Sequence, residues 1–167
     1  MSSPLSLISL KNPWHLLATG FGSGLSPVIP GTMGTLAAIP FYLLLVQLPF
    51  PMYVVAVVVS CFMGIKICQV TSDDMGVHDH GSIVWDEFAG FWLTMMVVPL
   101  FKIPVDDWKW LITGFILFRF FDMVKPWPIG WLDKRVHGGL GIMLDDIVAG
   151  VMAAISLWLV GKYAGWL

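Results

Sequence analysis

Two adjacent carboxylates inside an apolar run are the first residues in this chain that could do chemistry. In Asp79–His80–Gly81–Ser82–Ile83–Val84–Trp85–Asp86–Glu87, the last two acids lie three or four residues into an apolar stretch that continues to Phe101. An ionised carboxylate in apolar surroundings is costly and marks a functional site by default. A divalent cation would offset that cost. Hard oxygen donors suit Mg²⁺, which usually takes one or two carboxylates plus substrate phosphate. The plainer reading is that Asp86 and Glu87 complement a helix macrodipole, although Ser82 or Asp79 could cap that helix alone.

A second acidic pair, Asp145–Asp146, opens the last apolar stretch. Acids at a helix start are ordinary caps, but a cap needs one acid and here are two. A third group is Arg119–Phe–Phe–Asp122–Met–Val–Lys125. Arg119 and Asp122 are spaced to pair on one helical face. Arginine forks onto phosphate oxygens, and lysine supplies a point charge. Lys125 also fits as a basic anchor at a span end. A fourth group runs from Gly20 through Gly22, Ser23, Gly24 and Ser26 to Pro30–Gly31–Thr32–Met33–Gly34. Glycines let backbone N–H groups approach an anion. Gly20 and Gly24 equally make a helix-packing GxxxG pair, and the hydroxyls of Ser23, Ser26 and Thr32 favour a polar site. Of His15, His78, His80 and His137, any could serve as general acid or base near neutral pH. None has zinc-type spacing.

Several chemistries are excluded. The chain has no Cys-x5-Arg loop, no Asp-x-Asp-x-Thr, no Walker loop and no Gly-x-Ser-x-Gly elbow. A covalent nucleophile is therefore not indicated. What remains is a carboxylate-held metal that activates water and clamps phosphate.

These groups must be positioned by a very apolar chain. Of 167 residues, 57% are hydrophobic and only 12% charged, against about 25% charged in soluble domains. One small core cannot hide that much apolar surface, so lipid is implied. The net charge of −2 gives no basic stripe for nucleic acid. Cys61 and Cys68, seven residues apart in an apolar run, read as small hydrophobes. A crossing helix needs roughly 20 apolar residues. Five stretches come close: Thr35–Phe50, Met52–Val70, Ile83–Phe101, Trp108–Asp122 and Asp146–Trp166. Trp14–Val28 is glycine-rich and reads as a short or re-entrant helix. The expected fold is thus an all-α, polytopic membrane bundle of about five spans forming one domain over residues 1–167. No basic segment with a cleavage site precedes it, so the spans are expected to carry targeting.

Six basic residues (Lys11, Lys66, Arg119, Lys125, Lys134, Arg135) fall on one face, and Lys102, Lys109 and Lys162 on the other. This makes the first face cytoplasmic. Nine of eleven acids share it; only Asp106 and Asp107 do not. A cation transporter or channel is the rival reading. Such a path would carry charges through the membrane's depth, whereas Leu36–Leu48 and Met52–Gly64 carry none.

Four segments in order, GFGSGLSPVIPGTMGTLAAIP, DMGVHDHGSIVWDEFAG, FRFFDMVKPWPI and LDDIVAG, resemble the phosphatidylglycerophosphatase A family of bacterial membrane enzymes from about Asn12 to Gly161. The resemblance implies a Mg²⁺-dependent lipid phosphatase. It would hydrolyse phosphatidylglycerophosphate to phosphatidylglycerol and phosphate at the cytoplasmic face of the inner membrane. On the reading of the residues, Asp79, Asp86, Glu87, Asp145 and Asp146 are the expected metal ligands. Asp86, Glu87, Asp146, Asp122 and His80 are the expected catalytic groups. Arg119 and Lys125 are expected on the phosphate, with Ser23, Gly24 and Ser26 lining the head-group pocket.

Overall fold

The structure is a computed structural model in which residues 4–167 are described; the domain read over 1–167 begins just outside them. Among the described residues the chain is helical, with no strand. Helix α1, Pro13–Ala18, starts on Asn12, whose side chain accepts the Trp14 N–H at 3.0 Å. Proline again sits at the start of α2, Pro30–Leu45, where its missing N–H costs nothing. Pro49 precedes α3, Phe50–Met75, which ends at Gly76 with φ +66°. That left-handed stop favours glycine.

The stretch Ile83–Phe101, expected as one span, divides into α4, Trp85–Thr94, and α5, Val97–Leu100. Pro99 accounts for the break. A continuous helix would need its absent N–H, and its ring would strike the Met95 carbonyl one turn earlier. Helix α6 covers Trp108–Val124, α7 Ile129–Asp133 and α8 Gly138–Tyr163.

Helix α8 lies at the centre, packed on α3, α4 and α6. Helix α4 is the second hub, touching α2, α3 and α8. Every α4 residue except Leu93 is buried. Its indoles are fixed from both sides: Trp85 Nε1 donates to the Ser60 carbonyl (3.2 Å) and Trp92 Nε1 to that of Ala38 (3.0 Å). Tyr53 donates its hydroxyl to the Trp92 carbonyl at 2.6 Å. These bonds fix the height of α4 against α2 and α3.

Glycine sets the α4–α8 distance. A Cβ at Gly90 would lie 2.8 Å from the Asp146 carbonyl oxygen and 2.7 Å from the Phe118 ring, and one at Gly150 2.6 Å from the Gly90 carbonyl. Gly90→Val is therefore expected to lose about 1–3 kcal/mol through overpacking, read as a lowered denaturation midpoint in detergent.

Helices α3 and α8 are long and apolar enough to cross a membrane; α2 is apolar but shorter. Those two, against five expected, meet the length and composition of a span. At about 1.5 Å per residue, α4 would reach only about half-way through a hydrocarbon core.

Candidate active site

The close α4–α8 crossing brings three carboxylates together. Asp86 and Glu87 stand in the first turn of α4. Asp146 was expected to open the last helix, but α8 begins at Gly138, so Asp146 stands about two turns inside it. One oxygen from each of Asp86, Glu87 and Asp146 lies within 4.8 Å of the others. The three are 7%, 8% and 3% exposed. Each also keeps one buried oxygen without a hydrogen-bond partner: Asp86 Oδ1, Glu87 Oε2 and Asp146 Oδ2. Buried polar atoms are almost always satisfied. Three unsatisfied acceptors of the same sign, in one place, fit the donor set that a hard divalent cation requires.

Arg119, near the end of α6, closes one side. Its Nη1 lies 2.5 Å from Asp122 Oδ2 and 3.8 Å from Glu87 Oε1, and it donates to Thr35 Oγ1 at 3.4 Å. The Arg119–Asp122 pair is the one that the i, i+3 spacing predicts. Asp122 also meets the side chain of Asp146. The guanidinium is therefore the local counter-charge for the acids, and its buried Nε has no partner.

Asp145 plays a different part from its neighbour. Its Oδ2 takes the Lys125 ammonium at 2.5 Å, and Lys125 also reaches Asp133 at 2.9 Å. Its Oδ1 accepts the Asp146 N–H at 3.1 Å. Burial pulls the Lys125 ammonium down, but hydrogen bonds to Asp145 and Asp133 outweigh it and hold Lys125 above the usual lysine range. Lys125, expected on phosphate, thus lies against acids on α7 and α8. Lys125→Met is expected to cost about 3–5 kcal/mol, because it leaves Asp145 buried and unpaired. Asp133→Asn should cost under about 1 kcal/mol, since that partner is partly exposed to solvent. Urea unfolding of both variants checks the contrast.

The remaining expected residues are placed as follows. Asp79 is exposed and outside the carboxylate trio, although its charge reaches Asp86 and Asp145. His80 turns Nδ1 onto Ser82, within 3.2 Å of its N–H and 2.8 Å of its Oγ. Accepting that N–H leaves the proton of a neutral His80 on Nε2. Ser23 donates to the Gly20 carbonyl at 2.8 Å and Ser26 to that of Val28 at 2.9 Å. A Cβ at Gly24 would strike the Ser82 carbonyl. The glycine-rich segment therefore packs under the Ser82–Val84 strap, and its two hydroxyls bond locally. Residues slightly further along come closer to the acids. A Cβ at Gly31 would strike Glu87 Oε1 and lie 3.2 Å from Arg119 Nη2. Thr35, absent from the expected site, follows one turn later. The Pro30–Gly31–Thr32 helix start was the available signal.

A family profile described as "Phosphatidylglycerophosphatase A" matches residues 16–161. The chain belongs to the phosphatidylglycerophosphatase A family. All four site segments lie within that match. A phosphatidylglycerophosphatase A of Escherichia coli is 56% identical over 158 residues, covering 95% of this chain and 89% of its own length. One of Haemophilus influenzae is 45% identical, covering 94% of each. A Bacteroides thetaiotaomicron protein, provisionally named a phosphatidylinositol-3-phosphatase, is 38% identical over 87% of this chain and 94% of its own. No solved structure matches the chain. What the phosphatidylglycerophosphatase A family adds to the geometry is a substrate class containing a phosphate monoester.

Proposed function

We propose that this chain is a Mg²⁺-dependent lipid phosphatase that hydrolyses phosphatidylglycerophosphate to phosphatidylglycerol and phosphate. One observation carries the reading beyond family membership. Three buried carboxylates converge with unpartnered oxygens beside the partly buried guanidinium of Arg119. Asp86, Glu87 and Asp146 would hold Mg²⁺, which when bound polarises a phosphoryl oxygen and lowers the pKa of a water.

The chain's own residues do the rest. Arg119 orients the phosphate and spreads its charge, since a guanidinium matches two oxygens at once. Asp122 holds that guanidinium in place. Asp145, fixed by Lys125, accepts the Asp146 N–H and so sets the α8 backbone beside the trio. His80 presents an Nε2 proton for a hydrogen bond to the lipid phosphate. Burial removes competing water, which strengthens each of these contacts. Water adds to phosphorus, the bond to the glycerol oxygen breaks, and that oxygen leaves with a proton.

The proposed setting is the cytoplasmic side of the bacterial inner membrane, with α2, α3, α4–α5, α6 and α8 forming the multi-pass bundle. Its support is the outward face of these helices. Leu44 on α2, Phe62 on α3, Ile116 on α6 and Ile155 on α8 are all more than half exposed, and large apolar side chains turned outward together mark contact with a membrane or another protein. The site residues gather at the end of the bundle where most basic span ends fall.

The test gives purified protein phosphatidylglycerophosphate in detergent, with Mg²⁺ or with a chelator. Phosphate release that stops in chelator and returns with added Mg²⁺ is the expected result. No release with Mg²⁺ removes the enzyme reading, and undiminished release in chelator removes the metal.

A further inference from the structure

Helix α1 has six residues, too few to be stable alone. Its place is therefore set by bonds to other elements. His15, which the chemistry above leaves unused, supplies one of them. It is 4% exposed, and its Nδ1 accepts the Ser9 N–H at 3.0 Å. A neutral ring then carries its proton on Nε2. That proton goes to Asp74 Oδ2 at 2.9 Å, near the end of α3. Beside it, the Lys66 ammonium of α3 lies over the Trp14 ring, 5.1 Å from the centroid. Helix α1 is thus latched to α3.

The other end of α1 reaches the site. Ala18 is its last residue, so its carbonyl has no partner within the helix. It accepts the Val84 N–H at 2.7 Å. Val84 holds the cap position of α4, where no side chain caps the helix. Asp86 and Glu87 follow directly in the first turn. Thr19 carries the tie onward: its hydroxyl donates to the His15 carbonyl at 2.7 Å and accepts the Gly22 N–H at 3.2 Å. The loop it begins packs on the same turn of α4. A Cβ at Gly20 would lie 2.7 Å from the Phe88 ring and 2.9 Å from the Val84 side chain. Residues on both sides of the two acids therefore rest on α1 and its loop.

We infer that His15, held by Asp74, is a positioning residue for the carboxylate trio: it fixes α1 against α3, and α1 fixes the height of Asp86 and Glu87 opposite Asp146. The effect on rate rests on the phosphatase reading; the mechanical link does not.

Two measurements on the full chain in detergent test it. One is hydrogen exchange at the Val84 amide. The other is kcat and KM for phosphate release from phosphatidylglycerophosphate at saturating Mg²⁺. His15→Phe and Asp74→Ala should each raise Val84 exchange about tenfold or more, the scale of one hydrogen bond to a charged group. Each should lower kcat about 10–10²-fold, as a small misplacement of reacting groups does. KM should stay within about twofold, because the phosphate contacts are untouched. Asp74→Asn keeps an oxygen that accepts the Nε2 proton and should restore both readings. The double variant should be no worse than His15→Phe alone, since both changes break one bond. Trp110→Leu is the structural control. Trp110 is buried against Gly161, toward the far end of α8. Its loss should lower Tm and leave kcat within about twofold.

Val84 exchange unchanged in both His15→Phe and Asp74→Ala overturns the latch. Raised exchange with wild-type kcat overturns the positioning role. An equal kcat loss in Trp110→Leu overturns it too, because any destabilisation would then suffice. If His15→Phe does not fold, Asp74→Ala decides, since the Asp74 side chain is 49% exposed. A wild-type chain that releases no phosphate overturns the phosphatase reading, and Val84 exchange still decides the latch.

Discussion

Asp146→Asn should lower phosphate release from phosphatidylglycerophosphate by about 10²–10³-fold, the range seen when one preorganised polar contact is removed from an active site. The substitution keeps shape and removes a charge. The same variant should be no less stable than wild type in chelator. Asp146 Oδ2 has no partner to lose, and the charge faces Asp86, Glu87 and Asp122. With Mg²⁺ the order should reverse. A ligand at 100 times its Kd adds about 2.7 kcal/mol to the state that binds it, so wild type should gain Tm on Mg²⁺ addition while the variant gains little. Tm measured with and without Mg²⁺ separates a ligand from a merely structural acid. Equal Mg²⁺ gains in both proteins would take Asp146 out of the ligand set.

Arg119 should behave in the opposite way. Removing it as Arg119→Met leaves Asp122 and Glu87 without their counter-charge and should cost about 3–5 kcal/mol. Arg119→Lys restores the charge but not the fork. It should recover most of the stability and little of the turnover, leaving kcat/KM about 10²-fold down. Denaturation midpoints and initial rates on the same two preparations give the comparison. If Lys restores both equally, Arg119 acts through charge alone.

The chemistry of the site was legible because it contradicts its surroundings. Asp86, Glu87, Arg119 and Asp146 stand out as charges in apolar stretches, and the i, i+3 spacing of Arg119 and Asp122 foretold their pairing at 2.5 Å. The helical fold followed from composition for the same reason. What sequence could not assign was which oxygen meets which cation. Asp145 and Asp146 look alike as neighbours, yet the helix turns one onto Lys125 and the other into the trio. Ser23 and Ser26 are expected in the head-group pocket because of their hydroxyls, and sequence could not show that both hydroxyls donate to their own loop backbone. Thr35 carries no such flag, since it meets Arg119 only once α2 and α6 are brought near each other in space. Helix bounds differ from the expected stretches at Pro99 for a local reason, and at Asp145–Asp146 because Gly138–Leu144 continues the helix upstream of the acids.

Helix α4 has almost no outside, and this says how the sequence can drift. On α2, α3 and α6 an outward residue answers only to being apolar, so Leu, Ile, Val and Phe should interchange freely there. On α4 each substitution meets a neighbour, whether or not it touches the chemistry. A library of single substitutions selected for function should therefore leave Trp85–Thr94 nearly unchanged along its length, as a block rather than a periodic stripe. Among helices of this chain, that block would mark the one whose history is written by its neighbours.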